Sequence, residues 1–83
     1  MEGALKSVSL ADMKEQHEEL ARLRTACERV RIDLFEACCE FQRDCNAVTL
    51  ERLSVLTASL KILERRCAEQ HDALAQSLAS ANR

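Results

Sequence analysis

Five cysteines and two histidines are the side chains here that could do covalent or metal chemistry, and their spacing limits what that chemistry could be. Cys67 and His71 stand one helical turn apart and Cys38 and Cys45 two turns apart, so on a helix either pair could offer two ligands to zinc. Two ligands do not close a tetrahedral site, and the others would have to come from another chain. The cysteine number is odd and no C-x-x-C pair occurs, which argues against a disulfide scaffold. In a reducing compartment such thiols pack like small hydrophobes, the role expected of Cys27, Cys38, Cys45 and Cys67 on or beside an apolar stripe. Cys39 points elsewhere; it could be crosslinked or modified, but no adjacent His or Lys cluster marks it as an activated nucleophile.

The remaining candidates for catalysis are weaker. His17 and His71 each lie among charged residues, and neither has a Ser or Cys and a carboxylate placed to complete a triad. Glu36 and Glu40 share one helical face and could mimic an acid and base pair, yet one amphipathic helix offers no closed pocket to exclude water. There is no Gly-rich phosphate loop, and Lys61, Arg65 and Arg66 are balanced by Glu64 and Glu69, which leaves no footprint for nucleotide or nucleic acid. The expectation is a chain that is not an enzyme and holds no cofactor or metal.

The element that must position all of these is a helix. The 83 residues contain no Pro and one Gly, and Ala, Leu, Glu and Arg abound. Twelve basic and fourteen acidic residues, a formal charge of -2, are spread along the chain without a polybasic or acidic block. Apolar runs are short, so no membrane insertion is expected, and the opening MEGALKSVSLADMKEQHEEL shows neither a secretory leader nor an Arg-rich presequence, which points to the cytoplasm. Ser9 and Asp12 spell a helix start. Opposite charges four apart then favour helix: Lys14 with Glu18, Glu18 with Arg22, Arg24 with Glu28, Arg29 with Asp33, Arg65 with Glu69.

Apolar periodicity points to an assembly surface. Met13, Leu20, Cys27, Leu34, Phe41 and Val48 step by seven, with Leu23, Val30 and Ala37 in the alternate slot. A second register carries Leu53, Leu60, Cys67 and Leu74, with Leu56 and Leu63 between them. Five residues separate Val48 from Leu53 where three or four would keep phase, so the seam shifts near residues 46–51. The fold expected is all-α: a disordered segment 1–8, one long amphipathic coiled-coil helix over 9–78 with a register shift, and a frayed end 79–83. No Gly or Pro sits at the shift, so it implies unwinding, a bend or a change of partner, with a sharp helical hairpin as the alternative. A continuous helix of that span would be roughly 100 Å long and needs other helices to cover its stripe. Self-association of the chain alone is expected, with a trimer favoured.

Phe41, the Arg52-Leu53 pair, Leu56, Leu60 and the tetrad Leu63-Glu64-Arg65-Arg66 together resemble the Brick subunit family of the WAVE/SCAR actin-regulatory complex. The resemblance covers Phe41 through Arg66. Where the family has a second aromatic four residues after the first, this chain has Cys45, and it contains no Trp. The small coiled-coil subunit of the related WASH complex is similar in the same general way. The resemblance implies a cytoskeleton-associated helix that bundles with WAVE-type and Abi-type helices in a complex that controls actin nucleation. Another cytosolic assembly, such as a lysosome-positioning, kinetochore or ciliary trafficking complex, is the alternative setting for the same stripe.

Overall fold

The computed structural model describes residues 9–81, and every regular element among them is helical. Two helices, α1 over Leu10–Arg43 and α2 over Ala47–Ala81, are joined by the short turn Asp44, Cys45 and Asn46. The single helix expected over 9–78 is therefore divided in two, and α2 runs past residue 78 to Ala81. Residues 1–8, read from the sequence as disordered, and 82–83 at the end read as frayed, lie outside the described residues.

Local chemistry explains each helix start. At Ser9 the backbone is extended (φ -68°, ψ 152°) and the hydroxyl oxygen accepts the Asp12 N–H at 3.0 Å, satisfying a donor that no helical carbonyl reaches. α2 starts with a reciprocal cap: Asn46 Oδ1 accepts the Thr49 N–H at 3.0 Å, while Thr49 Oγ1 accepts the Asn46 N–H at 3.2 Å. The Thr49 hydroxyl also donates to the Asp44 carbonyl at 2.6 Å, tying the new helix to the end of the old one. Asp44 leaves the helical region at φ -128°, ψ 87°, its N–H still bonded to the Glu40 carbonyl at 2.8 Å. No described residue has positive φ, so the reversal needs no glycine. Side-chain capping by Asn and Thr does here what Gly or Pro does in most turns.

The two helices then pack antiparallel. Contacts couple Arg52 with Glu40 near the turn, Arg31 with Glu64, Cys27 with Cys67, and Gln16 with Gln70 toward the open end. In this register Leu34 is level with Leu60, Ala37 with Leu56 and Phe41 with Leu53. The hairpin measures 63 × 14 × 14 Å, against roughly 100 Å for a continuous helix at 1.5 Å per residue. The physical reason for folding back is that each apolar stripe finds its cover in the same chain, at the cost of closing a turn of a few residues.

Candidate functional site: the interhelical seam and the outer face of α2

The residues turned toward the partner helix recur at intervals of three and four on both helices. Leu20, Cys27 and Ala37 are buried, at 4%, 3% and 1% exposure. Met13, Leu23, Val30, Leu34 and Phe41 on α1 are half-buried, as are Leu53, Leu56, Leu60, Leu63, Cys67 and Leu74 on α2. Half-burial is what a two-layer arrangement gives, since each seam side chain is covered by one neighbouring helix and open at its flank. Gln16 and Gln70 occupy seam positions near the open end. The Gln70 amide donates to the Gln16 carbonyl at 3.3 Å, while the Gln16 side-chain oxygen is buried with no partner within the hairpin.

Val48 is the seam residue that the structure places elsewhere. It is 78% exposed, and Thr49 takes the inward position at the first turn of α2. The step of seven from Phe41 crosses the turn, where helical periodicity is reset, so the count no longer reports a face. Val48 instead begins a second stripe with Val55 and Ile62, which are 56% and 55% exposed. Three apolar residues at intervals of seven lie on one face of a helix within about 20° of drift per step, so they form a line along the outer side of α2. The signal for this stripe is present in the sequence as a separate interval of seven running from Val48 through Val55 to Ile62.

Charges flank the seam at its rim. Arg31 Nη2 donates to Glu64 Oε2 at 3.1 Å and Arg52 donates to Glu40, both between helices. The Arg52 guanidinium is pushed up by its hydrogen bond to Glu40 and then by that carboxylate's charge. Glu40 is thus engaged across the hairpin, while Glu36 is exposed. Of the charge pairs expected at four-residue spacing, Lys14 with Glu18 is present at 4.0 Å, whereas Arg22 takes Glu19 at 2.6 Å in place of Glu18. Rim pairs of this exposure are screened by water and hold alignment more than stability.

The cysteines divide into two groups. Cys27 and Cys67 meet across the seam with their sulfurs 3.6 Å apart. Burial, followed by the hydrogen bond with Cys67, pushes the Cys27 thiol up, so it stays protonated at neutral pH. Cys38 and Cys45, expected beside the seam, are exposed, as is Cys39. The reason is positional: Ala37 fills the inward slot next to Cys38, and Cys45 belongs to the turn. Among the described residues no three of His, Cys, Asp or Glu gather into one cluster. His17 and His71 are on the exposed side of their helices, His71 4.0 Å from Asp72. Among the described residues, no helix is long and apolar enough to cross a membrane.

A thiol's position decides what its removal does. Cys39→Ser should leave the thermal midpoint unchanged, whereas Cys67→Ser, which sets a hydroxyl against the buried Cys27 sulfur, should cost roughly 1–2 kcal/mol. Paired denaturant titrations of the two variants measure the difference, and equal sensitivity would contradict the placement of Cys67 in the seam.

Against family models, curated proteins and solved structures, the chain has no match in any of the three comparisons.

Proposed function

We propose that this chain is a non-catalytic assembly subunit, a helical hairpin that works by laying its outward apolar stripe against the helices of other proteins. The observation that carries the reading is the line Val48, Val55 and Ile62, more than half exposed on α2. These residues are not needed to close the hairpin, and burying three such side chains against a partner is worth a few kcal/mol in total at about 25 cal/mol per Å². Ile32 and Phe35, 55% and 71% exposed, add a second apolar strip on α1. Helix-on-helix docking through residues at such intervals is a common mode of recognition between coiled-coil proteins.

More specifically, we propose a Brick-like subunit that supports a WAVE/SCAR-type complex at the actin cytoskeleton in the cytoplasm. This rests on the resemblance of Phe41, Arg52-Leu53 and Leu63-Glu64-Arg65-Arg66. WAVE-type and Abi-type helices would then be the partners, the pairing of helices a coiled coil, and three copies the preferred stoichiometry when partners are absent. The alternative is a helical subunit of a WASH, lysosome-positioning, kinetochore or ciliary trafficking complex.

Native mass spectrometry of the purified chain mixed with WAVE-type and Abi-type helices tests both levels. A heteromer is expected with the wild type and should be lost in Val55→Asp, whose circular dichroism should be unchanged because residue 55 faces water. Binding of another complex through the same stripe would keep the assembly reading and discard the Brick-like one. Binding that survives both Val55→Asp and Ile62→Asp would overturn the role of the outer stripe.

A further inference from the structure

Cys27 and Cys67 are forty positions apart in sequence, and their sulfurs lie 3.6 Å apart in space. Beside them opens a cleft of about 410 Å³ lined by Arg24, Cys27, Glu28, Arg31, Glu64 and Cys67. We propose that Cys27 and Cys67 form a peroxide-sensitive dithiol whose oxidation to a disulfide staples α1 to α2 and locks the hairpin shut.

Three features of the site support this. The first is approach: a disulfide needs sulfurs about 2.05 Å apart, so the gap to close from 3.6 Å is roughly 1.5 Å. The second is asymmetry, since Cys27 is 3% exposed and Cys67 is half-buried, so an oxidant reaches one sulfur and finds the other behind it. Third is the cleft, which is lined by Cys67 and is large enough to admit hydrogen peroxide, with Arg24 and the Glu64-paired Arg31 among its other lining residues.

The chemistry balances in two displacements. The Cys67 thiolate attacks one peroxide oxygen, the O–O bond breaks, and the departing hydroxide takes a proton to become water, leaving a sulfenic acid on Cys67. The Cys27 sulfur then attacks the Cys67 sulfur, the S–S bond forms, the S–O bond breaks, and the hydroxide leaves with the Cys27 proton as a second water. Two thiols lose two electrons and one peroxide gains them. Cys38, Cys39 and Cys45 are exposed and open to oxidants, but the structure gives none of them a sulfur partner within hydrogen-bonding reach.

The consequence is a covalent change in what the chain can do. A reduced hairpin can open and offer its seam leucines to other helices, whereas a stapled one presents only its outer face. This inference rests on the hairpin geometry and stands whichever partner binds.

The test uses the full chain with Cys38, Cys39 and Cys45 replaced by Ser, so that only the proposed pair remains. Under hydrogen peroxide, intact mass should fall by two hydrogens, peptide mapping should join Cys27 to Cys67, and circular dichroism should stay helical. The thermal midpoint should rise by about 10 °C or more, as closing a loop of this length implies, and should return on reduction. Adding Cys67→Ser should abolish the mass loss and the rise together; Cys27→Ser serves as the second control should that variant fold poorly. Both cysteines remaining open to alkylation after peroxide, or a disulfide forming only once denaturant has unfolded the helices, would overturn the proposal.

Discussion

Replacing Leu20 by Asp is expected to unfold most of the chain at neutral pH. Leu20 is 4% exposed and is the only leucine among the described residues that is fully covered. Removing its side chain forfeits about 2–5 kcal/mol of packing and transfer free energy, and the unpaired carboxylate adds a penalty of several kcal/mol more. A domain of this size is stable by only about 0.05–0.15 kcal/mol per residue, so the combined penalty exceeds the margin. Helical dichroism should fall by more than half at room temperature. The same change at half-buried Leu60 should cost less, because one flank of that residue is open to water, and Lys61→Ala on the exposed side should move the midpoint by a few tenths of a kcal/mol. A Leu20→Asp chain that melts like the wild type would show that the seam is not the core.

The second large effect concerns the turn. Replacing Asp44, Cys45 and Asn46 by three alanines should convert the hairpin to a continuous helix that pairs with a second copy. The substitution removes the reciprocal cap between Asn46 and Thr49, worth about 1–2 kcal/mol, and adds three strong helix formers worth about 0.5 kcal/mol each. Opposing it is the advantage of having both helices in one chain, an effective concentration in the millimolar range, which is about 4 kcal/mol at micromolar protein. Two open chains lose two turns and regain the same seam contacts between them, so the doubled gain exceeds that advantage. Energy transfer between dyes at Ala11 and Ala79, in labelled chain diluted with unlabelled chain, reads the outcome. Transfer should be strong in the wild type and nearly absent in the variant, where the sites stand roughly 100 Å apart. Strong transfer in both would mean that the hairpin is set by the seam alone.

These two sites also mark the limit of what the residues disclose without a structure. The helical nature is legible throughout, because the intervals of three and four persist and nothing interrupts them with Gly or Pro. Ser9 is legible as a cap for the same local reason, and its bond to the Asp12 N–H is present. The phase slip between Val48 and Leu53 is also legible in the sequence, but its meaning is not. A slip is consistent with a bend, a stutter or a reversal, and the choice depends on whether Thr49 and Asn46 cap one another, a side-chain geometry that composition does not announce. Pairings between helices were out of reach for a simpler reason. Arg31 with Glu64 and Cys27 with Cys67 are contacts between distant positions, and no local spacing encodes them. An interval of seven has meaning only while the helix is unbroken, so the step from Phe41 to the exposed Val48, which crosses the turn, reports no shared face.

The ladder of cross-helix contacts has a kinetic consequence. Moving away from the turn, the paired residues are separated in sequence by 12, then 33, then 40, then 54 positions. Each rung shortens the loop that the next must close, so the hairpin is expected to close from the Asp44 end without closing a long loop in one step. Topologies dominated by such stepwise closure sit among the fast folders, in the microsecond to millisecond range. The same order runs backward on opening. Gln16 and Gln70, on the outermost rung, part first, and amide exchange should be quickest there and slowest between Leu34 and Leu60, grading smoothly along a single molecule.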